Sequence, residues 1–112
     1  MTLSLTPDIL VATYELLLTT PPFRSWKLPP SDEIEFHITR SVKHFGTCDG
    51  KSITISDRKH GTLSNLLVTV AHEMVHLREF QTGARSDIQH GAEFNKLADR
   101  VCRIHNFDRS AF

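Results

Sequence analysis

The stretch from Leu63 to Gly83 constrains the fold more than any other part of the chain. Leu63, Leu67, Val70, Met74 and Leu77 recur at steps of four and three, which makes one apolar stripe along an α-helix. Val68 and Val75 lie well away from that stripe, so the helix is apolar on two sides. Such a helix is expected to be sandwiched between other elements. Thr62 or Ser64 offers an N-cap, and Gly83 a C-terminal stop. Roughly opposite the stripe stand His72 and His76, four residues and one turn apart. The stripe then holds the helix to a core while the two histidines face a cleft.

The remaining segments supply that core. Thr6-Pro7-Asp8 reads as a helix start, with Thr6 as cap, Pro7 in the first helical position and Asp8 near the positive end of the dipole. Ile9, Leu10, Val11, Tyr14, Leu16 and Leu17 support a helix to about Leu18, and Thr20-Pro21-Pro22 stops it. Residues Phe23 to Ser31 form a loop with Trp26 as a packing anchor. Glu33 to Ile38 alternates polar and apolar, so it is expected as a strand with Ile34, Phe36 and Ile38 inward. A second strand over about Lys43 to Cys48 meets the turn Asp49-Gly50 and returns as Lys51 to Ile55. After a polar loop, Ala84 to Gln89, a last helix runs from about Gly91 to His105, with Phe94, Leu97, Ala98, Val101 and Cys102 inward. The tail after Asn106 is expected to be loosely held. The fold class is therefore α+β: an N-terminal helix, a small three-stranded antiparallel sheet, the histidine-bearing helix and a C-terminal helix.

The sequence His72-Glu73-Met74-Val75-His76 carries a specific chemistry. Two imidazoles on one helical face can reach one metal ion, and neutral imidazole is a good zinc ligand. Glu73 is turned aside from the histidines, placed to reach a metal-bound water rather than the metal. Zinc lowers the pKa of such a water to about 7, and a nearby carboxylate can take its proton and pass it to a leaving amine. A catalytic zinc site wants a third protein ligand. The downstream candidates are Glu79, Asp87, His90, Glu93 and His105. The long metzincin pattern fails, because Glu79 and Thr82 stand where it needs glycine and histidine. A glutamate ligand would point to Glu93. His90 is the stronger choice: it follows a loop long enough to fold back, Gly91 permits close backbone approach, and Phe94 would anchor the new helix and aim His90.

This motif, followed after thirteen residues by His90-Gly91-Ala92-Glu93-Phe94, resembles the SprT-like metallopeptidases. Their pattern is His-Glu-x-x-His and then His-Gly-x-x-Phe or a similar aromatic. The stretch from Phe45-Gly46-Thr47 to Ile53-Thr54-Ile55-Ser56 is similar to the family's small sheet, and the resemblance covers about Phe45 to Val101. It implies a minigluzincin or zincin-like core in which His72, His76 and His90 bind one zinc ion and Glu73 is the general base. The implied activity is that of a zinc metalloendopeptidase acting on a protein or peptide substrate. Many SprT-like proteins add a four-cysteine zinc ribbon. This sequence carries no such cysteines, so the resemblance is to a short stand-alone form of phage or bacterial type. The alternative reading is a non-catalytic or DNA-associated domain in which the metal is mainly structural.

Composition bounds the rest. A length of 112 residues fits one domain, residues 1–112. Thirteen basic and thirteen acidic residues give no net charge, which argues against a dedicated non-specific nucleic-acid binder. Lys96, Arg100, Arg103 and Arg109 form the one basic cluster, a candidate for weak nucleic-acid contact. No stretch approaches the roughly 20 apolar residues of a membrane span, and Asp8 and Glu15 argue against a signal peptide. Cys48 and Cys102 read as free thiols, so a cytoplasmic location is expected; the chain is also expected to be a monomer. His37 and His44 read as solvated, His60 as a candidate cleft residue, and His105 as a helix-end residue. Arg78 and Arg85 are candidate anion contacts, and Asp87 or Asp99 a partner for a ligand histidine.

Overall fold

A computed structural model describes residues 5–40, 46–58, 62–83 and 90–112. The expected strand start at Lys43 to Phe45 and the loop Ala84 to Gln89 lie outside those residues, as do His44, His60, Arg85 and Asp87. The elements run in the order α1 (Pro7–Leu18), β1 (Glu35–Thr39), β2 (Gly46–Cys48), β3 (Ser52–Ser56), α2 (Leu63–Thr82) and α3 (Ala92–His105). Short 3₁₀ turns cover Phe23–Ser25, Ser31–Glu33 and Arg109–Ala111. The architecture is α+β, as expected.

Local chemistry sets the element ends. The Thr6 hydroxyl accepts from the Ile9 N–H at 3.2 Å, and Thr62 does the same for Asn65 at 3.2 Å. Gly83 ends α2 in the left-handed conformation, φ 72°, where a side chain would be strained. Between β2 and β3 the Asp49 carboxylate accepts from the Lys51 and Ser52 N–H groups at 3.0 and 2.8 Å, and Gly50 turns the chain at φ 91°.

The three strands lie in the order β1-β3-β2. β2 pairs antiparallel with β3, as the Asp49-Gly50 hairpin requires. The expectation of a wholly antiparallel sheet is corrected in one respect: β1 runs parallel to β3, Glu35 opposite Ser52 through Thr39 opposite Ser56. The hairpin partner β2 takes one side of β3, and β1 takes the other after a connection that contains β2. Parallel neighbours need a long connection, about a dozen residues, and residues 40–51 supply it. An alternating pattern says which face of a strand is buried; it does not encode direction.

α2 is about 30 Å long at 1.5 Å per residue and packs against α1, α3, β2 and β3. Leu66, Val70, Ala71, Met74, Val75 and Leu77 are all buried, so apolar side chains on two sides do correspond to a sandwiched helix. Leu63 is 54% exposed, and the first turn of α2 faces solvent; burial begins at Leu66. Leu10, Tyr14 and Leu17 from α1, Ile53 and Ile55 from β3, and Phe94, Ala98 and Val101 from α3 complete the core. Leu16 points outward. Trp26 is buried as an anchor, with the Arg78 guanidinium 5.8 Å from its ring. Both cysteines are free. Among the described residues no helix is long and apolar enough to cross a membrane.

Candidate metal centre

α2 presents His72 and His76 on the side that meets the start of α3. His90 lies just before that helix, whose N-cap is Gly91. The three imidazole rings form a near-equilateral triangle, with centroids 5.0, 5.0 and 5.1 Å apart. One ligand atom from each lies within 4.8 Å of the others, so the set is compact enough to hold one metal ion. Phe94 is the floor of this triangle. Its ring is fully buried, lies parallel to His90 at 4.0 Å, and stacks on His76 at 4.6 Å. Phe94 anchors α3 and aims His90, one turn ahead of it, back at α2. His90 itself is exposed, so the triangle opens to solvent on its side.

Two of the three imidazoles have partners of their own. Nδ1 of His76 lies 2.9 Å from Oε1 of Glu79, and both side chains are buried. With Glu79 ionised, the carboxylate accepts and Nδ1 carries the proton, the tautomer in which Nε2 can serve as a ligand atom. Glu79, offered by spacing as a candidate metal ligand, instead orients the His76 ring. His72 rests against the C-terminal turn: the Phe112 ring is 5.2 Å away, and the Phe112 backbone accepts a hydrogen bond from the imidazole. Burial pushes the His72 pKa down to about 4, helped by the charges of His90 and Arg109 and opposed by the Phe112 hydrogen bond. His72 is therefore neutral at pH 7, the state a metal needs.

The tail is not loosely held. Arg109 donates to Asp99 at 2.7 Å and to Asn95 at 2.8 Å, which ties the last turn to α3 and carries Phe112 to His72 and Phe94. Local periodicity gave no signal for this return. Glu73 is 3% exposed, with its carboxylate against the backbone of β2 at Gly46.

The remaining candidates fall elsewhere. His105 donates from Nε2 to the Pro21 carbonyl at 2.8 Å and ties α3 to the segment after α1. Glu93 is exposed on the first turn of α3. Arg78 is committed to the Trp26 carbonyl at 2.8 Å and to Gln81 at 2.9 Å. Asp99 is paired with Arg109 rather than with a histidine of the triangle, and Arg109 leaves the basic cluster to Lys96, Arg100 and Arg103 on α3. His37 is exposed on β1.

The sequence model of the SprT-like family matches residues 19–110. No curated protein matches the chain.

Proposed function

Since the chain belongs to the SprT-like family, we propose that it is a zinc-dependent metallopeptidase hydrolysing peptide bonds in protein or peptide substrates. The observation that carries this reading is the convergence of three imidazoles, two of them from a helix that also bears a buried glutamate between them. A set of three imidazole nitrogens suits zinc and leaves a coordination position open, as catalytic sites require. When bound, zinc supplies a Lewis acid and an acidified water.

His72, His76 and His90 would hold the ion. Glu79 keeps the His76 ring in one orientation and one tautomer, and Phe94 and Phe112 shield the ligand rings from water on their packed sides. Glu73 takes the proton of the attacking water and delivers it to the nitrogen of the departing amine. Its placement against β2, away from bulk solvent, keeps the carboxylate in one position for both transfers.

Glu73→Gln tests the assignment, because glutamine keeps the shape and removes the base. Zinc content is expected to stay at the wild-type level while peptide hydrolysis falls by roughly 10²–10⁴-fold, the usual worth of a general base. Hydrolysis at the wild-type rate by that variant would overturn the role of Glu73.

A further inference from the structure

We propose that Gly46 is a positioning residue for Glu73: the missing side chain at the start of β2 is the slot in which the Glu73 carboxylate is held. The inference rests on the reading of Glu73 as the general base. A Cβ placed at Gly46 would stand 2.7 Å from Glu73 Oε2 and 3.2 Å from both Cδ and Cγ. Three successive atoms of the glutamate are met, so a simple rotation of the carboxylate does not clear the contact. Oε2 has to move, Cδ and Cγ have to give by a few tenths of an ångström with it, and at 3% exposure the side chain has little room to do so.

Backbone conformation does not explain a glycine at this place. Gly50 and Gly83 have positive φ, 91° and 72°, and serve a hairpin and a helix end. Gly46 is not among the positive-φ residues; it is an extended strand residue paired with Ile55. Glycine within a strand weakens it unless another group needs the space. Here that group is the carboxylate. The strand cannot easily retreat, because β2 is fixed in register on β3, whose Ile53 and Ile55 are fully buried. A methyl at 46 therefore displaces Glu73 rather than β2.

The experiment is a double-mutant cycle of Gly46→Ala and Glu73→Ala, followed by kinetics of Gly46→Ala on the zinc-loaded protein. In the metal-free protein, Gly46→Ala is expected to lower Tm in the wild-type background and not in the Glu73→Ala background, where the space is free. An equal change in both backgrounds overturns the contact. If Gly46→Ala alone does not fold, the double variant is expected to fold; failure of both overturns the proposal. In the zinc-loaded protein Gly46→Ala is expected to keep wild-type zinc stoichiometry and KM and to lose about 10²-fold in kcat, the scale of an ångström-sized misplacement. Unchanged kcat, or a loss that falls on KM instead, with an active wild type, overturns the positioning role. A wild type without peptidase activity overturns the peptidase reading instead, and the stability cycle still decides whether Gly46 makes the slot.

Discussion

Replacing Glu79 by alanine removes the acceptor that holds His76. The bond from Nδ1 to Oε1 is 2.9 Å long, and the two side chains are 7% and 2% exposed, so water cannot step in without opening the site. A buried donor left without its acceptor costs about 1–3 kcal/mol. That cost falls on the state in which His76 points Nε2 at the metal, because the free ring can turn to satisfy Nδ1 elsewhere. Loss of such a supporting partner weakens metal binding by roughly 10–100-fold, or about 1.4–2.8 kcal/mol at tenfold per 1.4 kcal/mol; the two ranges agree. Glu79→Gln keeps an acceptor oxygen and gives up the charge. Charged acceptors are roughly twice as strong as neutral ones, so the loss is expected to stay below about tenfold. The assay is zinc competition against a chromogenic chelator at pH 7. Wild-type zinc affinity in Glu79→Ala would refute the reasoning, and so would an equal loss in both variants.

Two further outcomes follow from the surroundings of His72. Its pKa is lowered from 6.5 to about 4 in the folded chain, so below pH 6.5 the unfolded chain takes up a proton that the folded chain does not. Stability from this group is complete above pH 6.5 and is lost as pH falls toward 4, by up to about 3 kcal/mol at 1.36 kcal/mol per pKa unit. Urea unfolding of metal-free protein at pH 7 and 4.5 is expected to show this loss, and His72→Gln to flatten it; an unaltered slope in His72→Gln contradicts the account. Phe112→Ala is expected to cost about 1–2 kcal/mol, a share of the 3–5 kcal/mol for a fully buried phenylalanine, and to move the His72 imidazole resonances. Unmoved resonances would contradict the contact of the C-terminal turn with His72.

What the sequence discloses is local. The Thr6 and Thr62 caps, the Gly83 stop and the Asp49-Gly50 turn each lie within a few residues of what they organise, and each is where spacing places it. The two helical histidines share a face for the same reason. His90 was legible because Gly91 and Phe94, its immediate neighbours, declare a helix start and its anchor. Pairings between distant segments were not legible. The direction of β1 depends on which side of β3 the hairpin leaves open. Asp99 and Asp87 were the expected partners of a ligand histidine, yet Glu79 holds the place. Its spacing of three from His76 is the signal that favours it, since residues three apart are neighbours on a helix. The return of Phe112 to His72, and the fit of Gly46 to Glu73, join segments that no periodicity links.

The most direct test of the account is the metal content of the purified protein beside that of His90→Ala. Wild type is expected to carry one zinc per chain, and His90→Ala to fall well below that, since two helical imidazoles alone leave the ion without its third protein ligand. Full zinc occupancy in His90→Ala, or none in the wild type, would contradict it.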